Sequence, residues 1–195
     1  MQGREMQLTA RFNDALQFAA ERHADHVRKG TSIPYIAHLL GVASIALEYG
    51  ANENEAIAAL LHDAVEDQKA TLQEIRDRFG AAVADTVAGC SDTDVIPKPA
   101  WRVRKEAYIA HIPTASLSVQ LVSAADKLHN ARAILRDYRD VGEALWGRFN
   151  GGRDGTLWYY RALVNTFRTV GSPLVDELDR VVSELERLVA VGPEP

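Results

Sequence analysis

The stretch Ala58-Ala59-Leu60-Leu61-His62-Asp63-Ala64-Val65-Glu66-Asp67 sets four ionisable side chains into a helix otherwise apolar enough to be core. Burying such groups unpaired is costly. A divalent cation removes the conflict, because neutral imidazole nitrogen and carboxylate oxygen are both good ligands for first-row metals and the ion offsets the carboxylate charge. Adjacent His62 and Asp63 can both reach one ion beside their helix, but two ligands do not complete a site. Two other positions also set a polar group into an apolar helix: His38 in Tyr35-Ile36-Ala37-His38-Leu39-Leu40-Gly41-Val42, and Asp126 in Leu121-Val122-Ser123-Ala124-Ala125-Asp126-Lys127-Leu128. Singly, His38 reads more readily as a hydrogen-bonded core residue than as a ligand, and Asp126 as the partner of Lys127, Arg132 or a helix end. Jointly they complete a His, His-Asp, Asp set.

Helical periodicity extends outward from this stretch over nearly the whole chain, beginning with Phe12, Ala15, Leu16, Ala19 and Ala20, and alternating β-branched runs bounded by turns are missing. The fold class is therefore all-α. Asn52 with Glu55 and Thr71 with Glu74 read as capping boxes, Gly80 as a stop, and Ser172-Pro173 as a cap followed by a first-turn proline. The spacing predicts about ten helices, over residues 8–26, 35–49, 53–67, 72–79, 81–90, 101–111, 117–137, 140–149, 154–170 and 173–190. At 195 residues the chain suits a single domain over residues 1–195, with its core over about 10–170 and a C-terminal helix over 173–190.

With 47% hydrophobic and 25% charged residues, the composition is that of a soluble globular protein, and no apolar run is long enough to cross a bilayer, so no membrane partner is expected. The first residues, Met1-Gln-Gly-Arg-Glu-Met-Gln, lack the apolar core of a secretory signal, and the lone Cys90 cannot form an internal disulfide; a cytoplasmic location is expected. The formal net charge of −5 argues against a nucleic-acid partner, which requires a surface that neutralises many phosphates at once. A small anionic nucleotide needs only a local basic pocket. Periodicity leaves oligomerisation, including a homo-oligomer, open.

The order His38, His62-Asp63, Asp126 on separate helices resembles the HD phosphohydrolase superfamily. More narrowly, Arg28-Lys29, Pro34-Tyr35-Ile36-Ala37-His38, Leu61-His62-Asp63-Ala64-Val65-Glu66-Asp67, Arg78-Phe79-Gly80 and Ala125-Asp126-Lys127-Leu128-His129-Asn130 are similar to the hydrolase domain of the bifunctional Rel/SpoT alarmone enzymes and to the stand-alone small alarmone hydrolases. The resemblance covers about residues 10–170 and implies a single-domain, all-helical HD-type fold binding one Mn²⁺ per chain. It implies the activity as well: removal of the 3′-pyrophosphate, released as pyrophosphate, from (p)ppGpp or (p)ppApp.

Carried over residue by residue, the resemblance puts His38, His62, Asp63 and Asp126 on the metal ligands, and Glu66 and Asp67 on the acidic pair that handles the water. That division is chemically sensible, since a divalent ion lowers the pKa of water and a nearby carboxylate can accept its proton. Arg28 and Lys29 match a basic pair that lies against the nucleotide, and Asn130 a polar residue that helps hold it. Arg104, Lys105 and Lys127 are candidates for phosphate contacts, and Tyr159, within Trp158-Tyr159-Tyr160, for a ring or hydroxyl near the substrate; an exposed charged patch and a core aromatic are the alternatives. His23, His26, His111 and His129 lack a metal-spacing partner and read as surface or support residues, and Cys90 has no triad partners.

The chain departs from the alarmone pattern at Leu39, where proline is common, at Gln68, where threonine is common, and over Arg148-Phe149-Asn150-Gly151-Gly152-Arg153. These departures leave the choice between guanosine and adenosine open. Two alternatives belong to other classes: an HD phosphatase of nucleoside monophosphates or of the NADPH 2′-phosphate, which would release orthophosphate, and a non-catalytic nucleotide sensor. The presence of both Glu66 and Asp67 argues against the sensor.

Overall fold

The helical spacing is realised as helix along most of the chain. The structure is a computed structural model and describes residues 7–68, 70–91 and 97–192. Its helices are α1 (Ala10–Arg22), α2 (Ile36–Glu48), α3 (Glu53–Leu61), α4 (Ala64–Gln68), α5 (Leu72–Phe79), α6 (Ala81–Cys90), α7 (Trp101–His111), α8 (Leu117–Val141), α9 (Gly152–Thr169) and α10 (Val175–Val191), with 3-10 turns at Ile112–Thr114 and Gly142–Arg148. Among the described residues, isolated extended pairing occurs as an antiparallel bridge between Val27 and Pro34. The fold is all-α, and no described helix is long and apolar enough to cross a membrane.

Local chemistry explains where the helices begin and end. Asn52 closes a reciprocal capping box, its side-chain oxygen accepting from the Glu55 amide at 3.1 Å while Glu55 Oε2 accepts from the Asn52 amide at 2.7 Å. Thr71 caps α5 through the Glu74 amide at 3.0 Å, but the Glu74 carboxylate pairs with Arg22. Gly80, at φ 92°, ends α5 in a conformation that disfavours side chains. The helix expected from residue 173 starts at Val175, because Ser172 Oγ accepts from the Leu174 amide at 3.4 Å and its carbonyl from the Val175 amide at 3.2 Å, holding a turn first. The helix expected over 140–149 is instead the end of α8 followed by a 3-10 turn, interrupted at Gly142 with φ 56°.

A larger departure concerns residues 53–67, expected as one helix. It breaks at His62-Asp63 into α3 and α4. The His62 imidazole donates from Nδ1 to the Ala59 carbonyl at 2.9 Å, the acceptor a continuing helix would offer to the Asp63 amide. Similarly, α1 stops at Arg22 rather than 26, and the chain turns so that the rings of His23 and His26 face Tyr35.

The described residues divide into two compact units, one up to Ser91 together with Ser116–Val122, the other from 97 to Ala115 and from Ser123 onward. In the first, α3 packs on α1, α2 and α6. Residues 56–61 of α3 are wholly buried; Ala56, Ala58 and Ala59 let neighbouring helices approach closely while Ile57, Leu60 and Leu61 fill the core. Burial of each of the three large side chains contributes about 1.5–3 kcal/mol. This buried helix ends at Leu61, directly before His62, and its neighbour α2 carries His38. In the second unit α9 packs on α7 and α10, with Leu163, Phe167, Leu178, Val182 and Leu185 buried. Arg161 ties α9 to α10 through Asp179 Oδ1 and Glu186 Oε2, both at 2.5 Å.

Candidate metal centre

In the first unit, Asp63 Oδ2 is the point on which the polar groups converge. His62 Nε2 lies 3.1 Å from it and His38 Nε2 3.5 Å from it, with the two imidazole centroids 5.3 Å apart. Both histidines are buried, at 4% and 1% exposure, whereas the Asp63 side chain is 22% exposed. A carbonyl can only accept, so His62 Nδ1 carries the proton shared with Ala59, and Nε2, facing Asp63, is the nitrogen left to coordinate a metal. Nε2 stands 3.1 Å from a carboxylate oxygen, a pairing that a proton on the ring or a metal ion beside it satisfies. Imidazole and carboxylate, carried by α2 and by the turn that follows buried α3, are a donor set that fits a divalent first-row ion.

Around this point the structure places Tyr35, whose hydroxyl donates to Asp63 Oδ2 at 2.6 Å. Its ring is stacked against His26 at 3.9 Å between centroids and against His23 at 5.0 Å, and the guanidinium carbon of Arg28 lies 5.7 Å from the ring centroid. The turn that carries Arg28 and exposed Lys29 is pinned by Arg28 N donating to Ile33 O at 2.8 Å and Thr31 Oγ1 donating to Arg28 O at 2.9 Å. Glu66 is exposed on α4, the helix that begins directly after Asp63. The side chain of Asp67 lies outside the described residues.

In the second unit, Asp126 is buried on α8 and both of its carboxylate oxygens accept short bonds: Lys127 Nζ reaches Oδ2 at 2.5 Å and Asn130 Nδ2 reaches Oδ1 at 2.5 Å. Burial is the largest influence and opposes the charge on Lys127, but the adjacent Asp126 carboxylate, Tyr108 and Tyr159 together outweigh it and hold the lysine pKa well above its ordinary value. Tyr159 is buried beside Trp101, with Lys105 Nζ 5.1 Å from its ring centroid. Arg104 donates from Nε to Pro99 O at 3.2 Å.

A model of the HD domain matches residues 15–157, most of the chain. The chain belongs to the HD domain family. Within the HD family it is 41% identical over 126 residues to the guanosine-3′,5′-bis(diphosphate) 3′-pyrophosphohydrolase MESH1 of Xenopus tropicalis, an alignment covering 63% of this chain and 69% of the relative. The Drosophila melanogaster protein of the same name is 30% identical over 176 residues, covering 89% and 93% of the two chains. A solved structure, described as a metazoan ortholog of SpoT that hydrolyses ppGpp, superposes with a TM-score of 0.78 at 27% identity, covering 94% of this chain and 98% of its own.

Measured against the sequence expectations, the HD structure brings His38, His62 and Asp63 together in one unit and groups Asp126, Lys127 and Asn130 in the other. Lys127 and Asn130, expected to meet the nucleotide, both bond Asp126. Within the Arg148-to-Arg153 stretch a Cβ at Gly151 would stand 2.6 Å from the Trp101 ring and Arg148 pairs with Asp137 at 2.9 Å, while Asn150 and Arg153 are exposed. The bond from Tyr35 to Asp63 has no counterpart in the sequence reading, although the position of Tyr35 three residues before His38 is the spacing of one helix face. His23, expected as a surface or support residue, is buried, at 2% exposure, and so is not on the surface.

Burial, and next the neighbouring His26, push the His23 pKa from 6.5 down to about 4. Because the folded value is depressed, this residue's contribution to stability is complete above pH 6.5 and is lost as pH falls from 6.5 towards 4, on the order of 3 kcal/mol at most. Urea unfolding of the metal-free protein should therefore weaken more steeply across that window than unfolding of a His23→Gln variant. Parallel pH profiles for the two proteins would refute the assignment.

Proposed function

We propose that this HD domain protein hydrolyses the 3′-pyrophosphate of a hyperphosphorylated purine nucleotide, (p)ppGpp or (p)ppApp, releasing pyrophosphate. The observation that carries the reading is the convergence of two buried imidazole Nε2 atoms on Asp63 Oδ2 beside the Arg28 turn. Relatives spanning most of this chain carry the name of that activity.

In this reading His38, His62, Asp63 and Asp126 hold one Mn²⁺ ion; His38, His62 and Asp126 are each buried and each has a ligand atom to offer. The ion supplies Lewis acidity, lowering the pKa of water and drawing charge from a phosphoryl oxygen. Glu66, with Asp67, orients the attacking water and takes its proton. The bond between the ribose 3′ oxygen and the inner phosphorus breaks; the water oxygen goes to the departing pyrophosphate and the proton to the 3′ oxygen. Arg28, Lys29 and Arg104 meet the phosphates, Arg28 with the flat face that can also lie on a base. Lys127 and Asn130, already bonded to Asp126, suit holding that ligand as well as meeting the nucleotide. Tyr159 is the aromatic candidate of the nucleotide site.

The HD match spans residues of both compact units, which supports treating the chain as one functional domain. The lone Cys90 supports a reducing, cytoplasmic setting. The test is to incubate the protein with Mn²⁺ and, separately, ppGpp, ppApp and NADPH, and to identify products by anion exchange and mass spectrometry. Pyrophosphate with GDP or ADP is expected and names the base. Orthophosphate from NADPH alone would replace the proposal with a phosphatase, and no turnover of any of the three would reject catalysis on these substrates.

A further inference from the structure

We infer that Tyr35 is a positioning residue that fixes the Asp63 carboxylate for the metal ion, and that His26 and His23 hold the Tyr35 ring in place. The inference rests on the metal reading above. Asp63 follows the end of α3, in the break before α4, and its side chain is 22% exposed, so its backbone lacks the rigidity of a helix interior and water competes for its oxygens. The Tyr35 hydroxyl donates to Oδ2 at 2.6 Å, on the same oxygen that both imidazole Nε2 atoms approach. That bond stops the carboxylate from turning away from the histidines and keeps one oxygen aimed between them.

The phenol is itself prevented from moving. Tyr35 lies nearly parallel to His26, at 10° and 3.9 Å, and to His23, at 9° and 5.0 Å, and the two histidines are joined Nδ1 to Nδ1 at 3.0 Å. The Tyr35 amide donates to the His26 carbonyl at 2.8 Å, beside the Val27–Pro34 bridge. Stack and backbone thus fix the ring on one side, while Arg28 lies 5.7 Å from the ring centroid. Tyr35 connects the Arg28 turn to a proposed metal ligand through one hydrogen bond. Groups of this kind, bonded to a ligand rather than to the metal, typically change metal affinity by about 10–100-fold when removed.

The experiment titrates Mn²⁺ into metal-free wild type, Tyr35→Phe and His26→Leu, with the paramagnetic resonance signal of free Mn²⁺ as readout, and records the thermal midpoint of each protein without metal. Phenylalanine keeps the stack and removes only the hydroxyl. Tyr35→Phe is expected to bind Mn²⁺ about 10–100-fold more weakly, with a metal-free midpoint near that of wild type. His26→Leu should weaken binding less, and the double variant no more than Tyr35→Phe alone, because the histidine acts through the phenol. Tyr35→Phe affinity within about threefold of wild type, with or without a lowered midpoint, would overturn the inference and leave the metal reading standing. Wild type that binds no Mn²⁺ would overturn both.

Discussion

Replacing His62 with alanine is expected to leave the protein without bound Mn²⁺ and without pyrophosphate release. The residue directly follows α3, whose last six residues are wholly buried, so it is anchored to the core of the first unit. The bond from Nδ1 to Ala59 O selects the tautomer and aims Nε2 at Asp63. Alanine removes the ring, the lone pair and the fixed aim together. Loss of a ligand should exceed the about 100-fold effect of losing a group behind one. Asp126→Ala should act in the same way, removing a ligand and a negative charge. Metal content per chain and turnover of the alarmone measure both variants; a His62→Ala protein with wild-type metal and rate would end the proposed centre. Folding is the control, because removing a buried ring also leaves a cavity, and a cooperative thermal transition separates the two causes.

The second large effect is expected at Glu66. Glu66→Gln keeps the shape of the side chain and removes its capacity to accept a proton, so kcat should fall by about 10²–10⁴-fold. Mn²⁺ binding should remain at the wild-type level, because Glu66 is exposed on α4 and outside the proposed ligand set. The contrast between intact metal affinity and lost turnover separates a proton acceptor from a ligand. Wild-type turnover in Glu66→Gln would move the role to Asp67, whereas loss of metal would place Glu66 among the ligands.

The amino-acid sequence by itself determined the all-α class, most helix boundaries and which ionisable groups sit inside apolar helices. Helix formation is governed by interactions three and four residues apart, so periodicity, the Asn52 box and the Gly80 stop are all legible locally, and α5, α6 and α7 fall where the spacing puts them. Ionisable groups inside apolar helices were equally legible, because their cost of burial depends on their immediate neighbours. Only the tertiary structure decided the rest. The break between α3 and α4 depends on a side chain capturing a backbone carbonyl, which no hydrophobic period records. The bond from Tyr35 to Asp63 joins residues 28 positions apart, and the burial of His23 depends on a ring stack with Tyr35. Such contacts form only when distant segments pack, and packing is set by shape and by the hydrogen bonds left to satisfy, neither of which is written in local spacing.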